Sequence, residues 1–476
     1  MELLDFPRLR KRFELADPQD KVRVFLFSKD QEAITIHSEN MEEEHRVFLS
    51  SNNPRGCVGE VFCLEKDIFV CVGKSSEKNL IVKRTNVGKA MKSLYDNLKR
   101  FDKAEIVFED SDFTEDAIFS LILASYTYDF LKKTKEETSF LLRSEKYKNI
   151  IEIAHVQNIA RFLGDTPANL MTPTAFVEYS KMIFEGDNVV IDVYSKDYMA
   201  QNQMNLILSV SQGSVQEPKL LRIKYEGRIQ GSVDIALVGK GVCFDSGGIS
   251  IKPAANMYSM KHDMMGAATL LCSLKLAVAL GIKANITATL PLVENLPSGI
   301  ATKPGDVFKS MSGITVEVDN TDAEGRLILA DALTLAQKES PKYLVDAATL
   351  TGAMIVSLGR VYAGFFTEDD AFAKMIYECG MECNDMFWRM PLSPFYREAM
   401  KSHVADINNM GGPDGGSCKA AEFLKEFVDT GKVRWVHFDI AGTMDKSYIS
   451  EIHGKEATGR PVRSFVRLLE KLSLCE

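Results

Sequence analysis

The sequence predicts an α/β protein in which a largely parallel sheet flanked by helices forms a C-terminal domain, preceded by a smaller α/β domain. Its 476 residues are too many for one hydrophobic core. Short apolar runs alternate with helical patterns through the second half, as in sheets covered by helices on both faces. We expect a small N-terminal domain over 1–145, a linker helix over 146–165 and the main domain over 166–476.

The N-terminal region contains short β-rich runs and two helical patterns. Apolar spacing predicts a helix over Val87–Phe101, and Thr114 offers a cap for a further helix. No part of this region concentrates the residue types of a catalytic site. The predicted strands are Lys21–Ser28, Ala33–Ser38, Asp67–Val72, Asn79–Lys83 and Ile106–Phe108.

The linker helix is predicted over Glu145–Leu163, and the sequence Gly-Asp-Thr-Pro that follows Leu163 is a stop signal. Beyond it, strand and helix patterns alternate regularly. The predicted strands of the main sheet are Val189–Val193, Ile235–Val238, Ile286–Leu290, Thr315–Val318, Tyr343–Ala347 and Trp435–Asp439.

Composition limits the classes of partner. A net charge of −9 and a pI near 5.5 argue against nucleic acid or an anionic membrane as the main partner. The nine cysteines form no regular framework, which is typical of reduced thiols. The sequence contains no run of eighteen apolar residues, so we predict no membrane span. We therefore expect a cytoplasmic protein with no membrane partner.

The stretch Asn-Thr-Asp-Ala-Glu-Gly-Arg-Leu, residues 320–327, lies on a predicted strand-to-helix turn. Asp322 and Glu324 can direct their oxygens to one point, as hard or borderline divalent cations require. Arg326 is a fixed positive charge that suits two-point binding of a planar oxyanion. A solvated turn with a helix-capping Asp and a first-turn Glu is the structural alternative.

A second stretch follows the strand that ends at Val238. Its glycines have the wrong spacing for either common phosphate-binding motif. Asp-Ser-Gly-Gly at 245–248 is similar to the nucleophile segment of trypsin-like proteases, but Ser246 has no positioned His and the chain predicts a parallel α/β domain. What remains is a set of charged residues: Lys240, Asp245, Lys252 and Asp263.

Together the two stretches supply four carboxylates, enough for two divalent metals that share bridging oxygens and activate a water between them. The two lysines have two explanations. One is simple charge balance. The other is that a lysine buried beside metal cations loses its proton and binds through the free amine.

The segments 240–252, 260–268 and 320–327 resemble the motifs of the leucyl (cytosol) aminopeptidase family of two-metal exopeptidases, and the likeness extends from about Asn158 to Leu469. The resemblance implies that one metal is bound by Lys240, Asp245, Asp263 and Glu324. It implies that the other is bound by Asp245, Asp322 and Glu324, so that Asp245 and Glu324 form bridges. Zinc is the first expectation, with manganese, magnesium and cobalt as alternatives.

The resemblance also implies how the site would act on peptides with a free N-terminus. Lys252 would be the electrophile, and Arg326 would hold a bicarbonate ion as general base. A pocket favouring Leu-like side chains would select the first residue of the substrate, and the chain would form a homohexamer. The substrate-binding residues implied are Met260, Asn320, Thr349, Leu350, Gly352 and Ala441.

Two other classes of protein compete with this hypothesis. One is a structural or nucleic-acid-binding protein built on the same fold, which the acidic net charge and the complete set of site residues disfavour. The other is a different metallohydrolase, such as an amidohydrolase. Those enzymes use His-rich ligand motifs, whereas the residues here are carboxylates and lysines.

Overall fold

A computed structural model describes residues 20–475 except 32, 39, 102–103, 135–139, 229–230 and 447. It confirms the predicted α/β class. The chain divides into two compact units. The first holds the described residues up to Ile159 and the later segment 448–456. The second holds the described residues of 160–446 and those from Ala457 on. Within the described ranges, no helix is long and apolar enough to cross a membrane.

The first unit contains one mixed sheet in the order β3-β4-β1-β5-β6, with β2 paired to β1. Its core is formed by apolar side chains of the sheet and its helices. Its strands are β1 Asp20–Asp30, β2 Ala33–Ile36, β3 Val61–Leu64, β4 Asp67–Cys71, β5 Ala104–Phe108 and β6 Phe140–Leu142. Its helices are α1 Glu43–Asn52, α2 Leu80–Leu98, α3 Thr114–Ala124, the first part of α4 Lys148–Asp165, and the short Ser450–His453.

The strand predicted over Asn79–Lys83 is wrong, because this segment begins helix α2. The Asn79 side chain accepts hydrogen bonds from the backbone N–H groups of Ile81 and Val82. This is the interaction of an N-cap, and it outweighs the β preference of the two branched residues. The linker helix predicted over 146–165 corresponds to α4, and the division between the two units falls inside it.

The second unit is built on a nine-stranded sheet in the order β16-β15-β18-β14-β9-β11-β8-β7, with β10 paired to β11. Most pairings are parallel, but β7, β8 and β15 each run antiparallel to a neighbour. The strands are β7 Val189–Tyr194, β8 Lys219–Glu226, β9 Ile235–Gly239, β10 Gly241–Asp245, β11 Asn285–Asn295, β14 Tyr343–Ala348, β15 Tyr362–Phe366, β16 Met386–Arg389 and β18 Arg434–Asp439.

Helices surround this sheet, and two short 3₁₀ helices at Met257–His262 and Gln337–Glu339 complete the unit. The helices after α4 are α5 Pro173–Ile183, α6 Lys196–Gln201, α7 Asn205–Ser211, α8 Met265–Ala279, α9 Glu324–Ala336, α10 Gly352–Leu358, α11 Asp370–Cys383, α12 Pro394–Glu398, α13 Gly416–Lys425 and, after Ser450–His453 (α14), α15 Val462–Ser473.

The strand Thr315–Val318 exists, but it does not belong to the main sheet as predicted. It is β13 of a separate three-stranded sheet, in which it pairs antiparallel with β12 Asp306–Lys309 and parallel with β17 Ile407–Asn408. Pairing with the adjacent hairpin strand fixes β13 outside the larger sheet. The turn that carries Asp322 and Glu324 therefore leaves a different sheet from the one that carries Asp245.

Helix α9 is anchored by Asp331, a fully buried carboxylate in its second half. One oxygen accepts the N–H groups of Leu206 and Ile207, at 2.9 and 3.2 Å, from the start of α7. The other accepts the N–H of Met311 at 2.8 Å. Burial raises the pKa of Asp331 to about 7.

Candidate metal centre

The charged residues of the stretch after β9 lie near the ends of parallel strands, the usual position of ligand sites in open α/β sheets. Lys240 separates β9 from β10, and Asp245 is the last residue of β10. Asp263 follows the 3₁₀ helix Met257–His262 and precedes α8. β9 and β10 pair one after the other with β11, so Lys240 lies beside the middle of β11 and Asp245 lies beside its last residue, Asn295.

Asp322 lies in the turn before α9 and Glu324 is the first residue of that helix, and hydrogen bonds fix the backbone of the turn. Asn320 Oδ1 accepts the N–H of Asp322 at 2.8 Å. The buried side chain of Asn409 accepts the N–H of Asn320 at 3.2 Å and donates to its carbonyl at 2.7 Å. The N-cap of α9 is Ala323, without a capping side chain. Asp322 therefore does not serve as a helix cap, and its carboxylate is available for another role.

The two stretches meet in one buried cluster. Oxygens of Asp245, Asp322 and Glu324 all lie within 4.8 Å of one another. Lys240 Nζ lies 2.9 Å from Asp263 Oδ2 and 2.7 Å from Glu324 Oε1, and it donates a hydrogen bond of 2.9 Å to the Thr349 carbonyl. The structure thus brings together five of the sequence-predicted ligands.

Lys252 lies on the other side of the cluster. Its Nζ is 2.7 Å from Asp245 Oδ2 and also pairs with the carboxylate of Asp322. Two ammonium groups therefore compensate four carboxylates. The cluster retains an excess of negative charge when all six groups are ionised.

The pKa values of these groups shift as expected for a cation site. Burial, reinforced by neighbouring carboxylates, raises the pKa of Asp245 and of Asp322, and it raises that of Asp263 most. Burial alone would lower the pKa of Lys240 and Lys252, but the surrounding carboxylates outweigh it and raise both. Both lysines are therefore ammonium groups in this arrangement, and the acids are poorly compensated.

Several oxygens of the cluster fit bound cations. Asp263 Oδ2, Asp322 Oδ1 and Glu324 Oε1 are buried and, across the described part of the chain, receive no well-directed hydrogen bond. The lysine ammonium groups are within ion-pair distance of these oxygens, but they do not meet the angles of a hydrogen bond. Because two ammonium groups do not offset the charge of four carboxylates, further cations would stabilise the cluster.

Gly325 leaves the space in which Lys240 lies between its two acids. A Cβ at this position would come within 2.6 Å of Lys240 Cε and 2.8 Å of its Nζ. Any side chain here would push the amine away from Glu324. The glycine of the octapeptide therefore serves the geometry of the cluster.

Arg326 is a buried cation two residues after Glu324 in α9. Its Nη1 donates a hydrogen bond of 2.7 Å to the Asn409 carbonyl, and its Nε has no partner among the described residues. Burial lowers the pKa of Arg326 to about 10, which still leaves it charged at neutral pH. A buried guanidinium with an unused donor is suited to binding an anion.

The residues expected to bind substrate lie around these ligands. Thr349 Oγ1 donates to Asp263 Oδ1 at 2.7 Å, so this side chain contacts a candidate ligand directly. The carbonyl of Met260 accepts the N–H of Asp263 at 3.2 Å. Asn320 is in the turn before α9, and Gly352 begins α10.

Leu350 and Ala441 are gathered around Asp439, the last residue of β18. Asp439 Oδ1 accepts the N–H groups of Leu350 and Ala441, both at 3.2 Å, and that of Thr351 at 3.4 Å. Its Oδ2 accepts the Thr351 hydroxyl at 2.6 Å. Asp439 is the last residue of a strand that the sequence predicts, but its role in holding this loop could not be read from the sequence.

Two buried asparagines that contact the ligand-bearing turns, Asn295 and Asn409, are missing from the sequence-based prediction. Asn295 ends β11, and its side chain donates to Asp245 Oδ1. Asn409 follows β17 and clamps the turn at Asn320. No sequence pattern distinguishes these amides from ordinary polar residues at strand ends, because their roles depend on which strands pair.

Comparison with known proteins confirms the resemblance. Residues 158–466 match the model of the cytosol aminopeptidase family, catalytic domain. A cytosol aminopeptidase of Encephalitozoon cuniculi is 48% identical over 484 residues, covering 99% of each chain. One from Dictyostelium discoideum is 40% identical, covering 85% of this chain and 82% of the relative.

Solved structures agree with the sequence matches. The crystal structure of a cytosol aminopeptidase from Coxiella burnetii superposes with a TM-score of 0.81 at 26% identity, covering 96% of this chain and 98% of the other. The bottromycin maturation enzyme BotP, also solved in complex with Mn, gives a TM-score of 0.82 at 26% identity, covering 95% of this chain and 99% of the other. The chain therefore belongs to the cytosol aminopeptidase family and is a metal-dependent aminopeptidase.

Proposed function

We propose that the protein removes Leu-like N-terminal residues from peptides, using two divalent metals held by five residues of the buried cluster. The observation that carries the proposal is the convergence of four carboxylates, three of them with buried oxygens that lack a directed hydrogen bond. One metal would be held by Lys240, Asp245, Asp263 and Glu324. Asp245, Asp322 and Glu324 would hold the other.

Zinc is the first candidate, with manganese, magnesium or cobalt as alternatives, since oxygen-rich sites accept all four. BotP, which has a similar fold, was solved with Mn. When bound, such metals supply Lewis acidity that activates a water and polarises the scissile carbonyl. Lys240 can act as a ligand only after it loses its proton, which the neighbouring cations would favour.

Lys252 would stabilise the negative charge that develops on the carbonyl oxygen. Its ammonium form is supported by the raised pKa, which its carboxylate neighbours cause despite burial. A fixed ammonium needs no reorganisation as that charge develops. Its contacts with Asp245 and Asp322 keep it at the edge of the cluster.

Arg326 would bind a bicarbonate ion that acts as general base. The buried guanidinium with an unused Nε donor supports an anion at this position. Bicarbonate is planar and matches the two-point geometry of the arginine side chain. A bicarbonate held by Arg326 would supply general acid–base chemistry to the site.

The first side chain of the substrate would contact Met260, Thr349, Gly352 and Ala441, and Asn320 and Leu350 would also bind substrate. Met260 gives this pocket a flexible apolar wall, which favours Leu or Met over charged residues. We also propose a cytoplasmic location and a homohexamer, on the basis of the family resemblance.

The first test is hydrolysis of leucine p-nitroanilide by protein stripped with a chelator and then titrated with zinc or manganese. An N-acetylated substrate is measured in parallel, since it lacks the free amine. Metal-dependent cleavage of the free-amine substrate alone is the expected result. Equal cleavage of both substrates, or no activity of folded protein with any metal, would contradict the proposal.

A further inference from the structure

We propose that Asn295 is a positioning residue that holds the two ligand-bearing loops at the spacing a metal pair requires; this inference rests on the proposed function. Asn295 ends β11 and is paired in register with Asp245 at the end of β10. Its side-chain nitrogen donates to Asp245 Oδ1 at 2.8 Å and to the Thr321 carbonyl at 3.0 Å. One amide thus links the segment carrying Asp245 to the turn carrying Asp322.

The orientation of this amide follows from its surroundings. Both neighbours of the nitrogen, a carboxylate and a carbonyl, are acceptors, so only the NH₂ group can face them. Asp245 Oδ1 also accepts the N–H of Gly247 at 2.9 Å. With Oδ1 held by two protein donors, Oδ2 is left to face the charged cluster, where Lys252 Nζ lies 2.7 Å away.

The side chain is needed in addition to the backbone of Asn295. Ser246 bonds to the Asn295 carbonyl through both its N–H, at 3.0 Å, and its hydroxyl, at 2.8 Å. Any residue could supply that carbonyl. Only a short amide side chain can reach both Asp245 and Thr321 as a donor without adding charge to the cluster.

Thr321 closes the same connection from the opposite loop. Its hydroxyl donates to the Gly247 carbonyl at 2.6 Å and accepts the N–H of Ser250 at 2.8 Å. Its backbone N–H bonds to the Ser250 hydroxyl at 3.2 Å. Asn295 and Thr321, both buried, therefore form a clasp between the loop after β10 and the turn before α9.

Gly248 packs closely against both residues of the clasp. Gly248 has a φ of +68°, and a Cβ there would lie 2.8 Å from Asn295 Oδ1 and 3.0 Å from Thr321 Oγ1. The loop can approach the two side chains this closely only because the position is glycine. Hydrogen-bonded partners of metal ligands typically contribute roughly 10–100-fold to metal affinity.

The test measures Mn²⁺ binding by calorimetry to chelator-stripped, full-length protein. Asn295→Leu keeps the branched shape of the side chain but removes the donor, and we expect the Kd for Mn²⁺ to rise about 10-fold or more. Thr321→Val should weaken binding similarly, whereas Thr321→Ser, which keeps the hydroxyl, should stay within about 2-fold of wild type. The threonine pair provides the result if Asn295→Leu does not fold.

Asn285→Leu is the matched control, since Asn285 is a buried amide at the opposite end of the same strand. It bonds to the carbonyls of Gly231 and Ser232, away from the cluster. Its Mn²⁺ affinity should equal that of wild type even if its melting temperature falls. Wild-type affinity in both Asn295→Leu and Thr321→Val would overturn the inference, whereas a wild type that binds no divalent metal would instead refute the proposed function.

Discussion

Replacing Asp439 tests whether the loop at Thr349–Gly352 and Ala441 forms the substrate pocket. This carboxylate accepts three backbone N–H groups, from Leu350, Thr351 and Ala441, together with the Thr351 hydroxyl. Asp439→Ala removes all four bonds and leaves buried donors without partners. Asp439→Asn retains the oxygen that accepts the N–H groups and reverses only the bond to the hydroxyl.

The magnitude follows from these contacts. A buried donor left without a partner costs about 1–3 kcal/mol, so three could cost roughly 3–9 kcal/mol. Water and loop movement recover much of this cost, and we expect Asp439→Ala to bind the transition state about 3 kcal/mol less tightly than wild type. That loss is about 100-fold in kcat/KM. Asp439→Asn should stay within about 10-fold of wild type, because it keeps all four bonds and loses only the charge of the carboxylate.

The assay is steady-state hydrolysis of leucine p-nitroanilide by metal-loaded protein, with metal content measured on the same samples. Asp346→Asn is the control: Asp346 is equally buried on β14, and it bonds to Trp435 and His437 instead of the loop. That variant should keep its kcat/KM. If Asp439→Ala were folded, fully metal-loaded and within 2-fold of wild type, the loop would not be the substrate pocket.

Three further predictions concern individual charges. Lys252→Ala should keep its metals but lose at least about 100-fold in kcat, as for removal of one oxyanion-stabilising group; full activity would contradict the electrophile role. Loading Mn²⁺ into stripped protein should release protons, measured by pH-stat, because Lys240 must lose its ammonium proton to act as a ligand; Lys240→Met should release about one fewer. Burial raises the pKa of Asp331 to about 7 from 3.8. The protonated side chain therefore stabilises the folded state fully below about pH 4. This contribution to the free energy of unfolding, up to roughly 4 kcal/mol, is lost as the pH rises through 7. The melting temperature of wild type minus that of Asp331→Asn should therefore fall between pH 5 and pH 8, and a constant difference would refute this.

The sequence was sufficient for features that depend on local patterns. The strand at Thr315–Val318, the turn at 320–323 and the helix after it follow from adjacent residues, as do the carboxylates of Asp322 on the turn and of Glu324 at the start of the helix. The family resemblance supplied the link to Lys240, Asp245 and Asp263, and the structure brings those side chains together. The roles assigned to each ligand stay predictions.

Features that depend on distant pairing could not be predicted. The sheet to which β13 belongs is decided by β12 and by β17, about ninety residues later. The same is true of Asn295, whose function follows from the register between β10 and β11. At Asn79–Lys83 the error was local: branched residues favoured a strand, but the capping asparagine began a helix.

The two sheets of the second unit divide the ligands between them. Lys240 and Asp245 follow strands of the nine-stranded sheet, whereas Asp322 and Glu324 follow β13 of the three-stranded sheet. The geometry of a centre assembled in this way depends on the position of one sheet relative to the other. Substitutions in the β12–β13 hairpin, remote from the chemistry, could then tune how long a metal ion is retained.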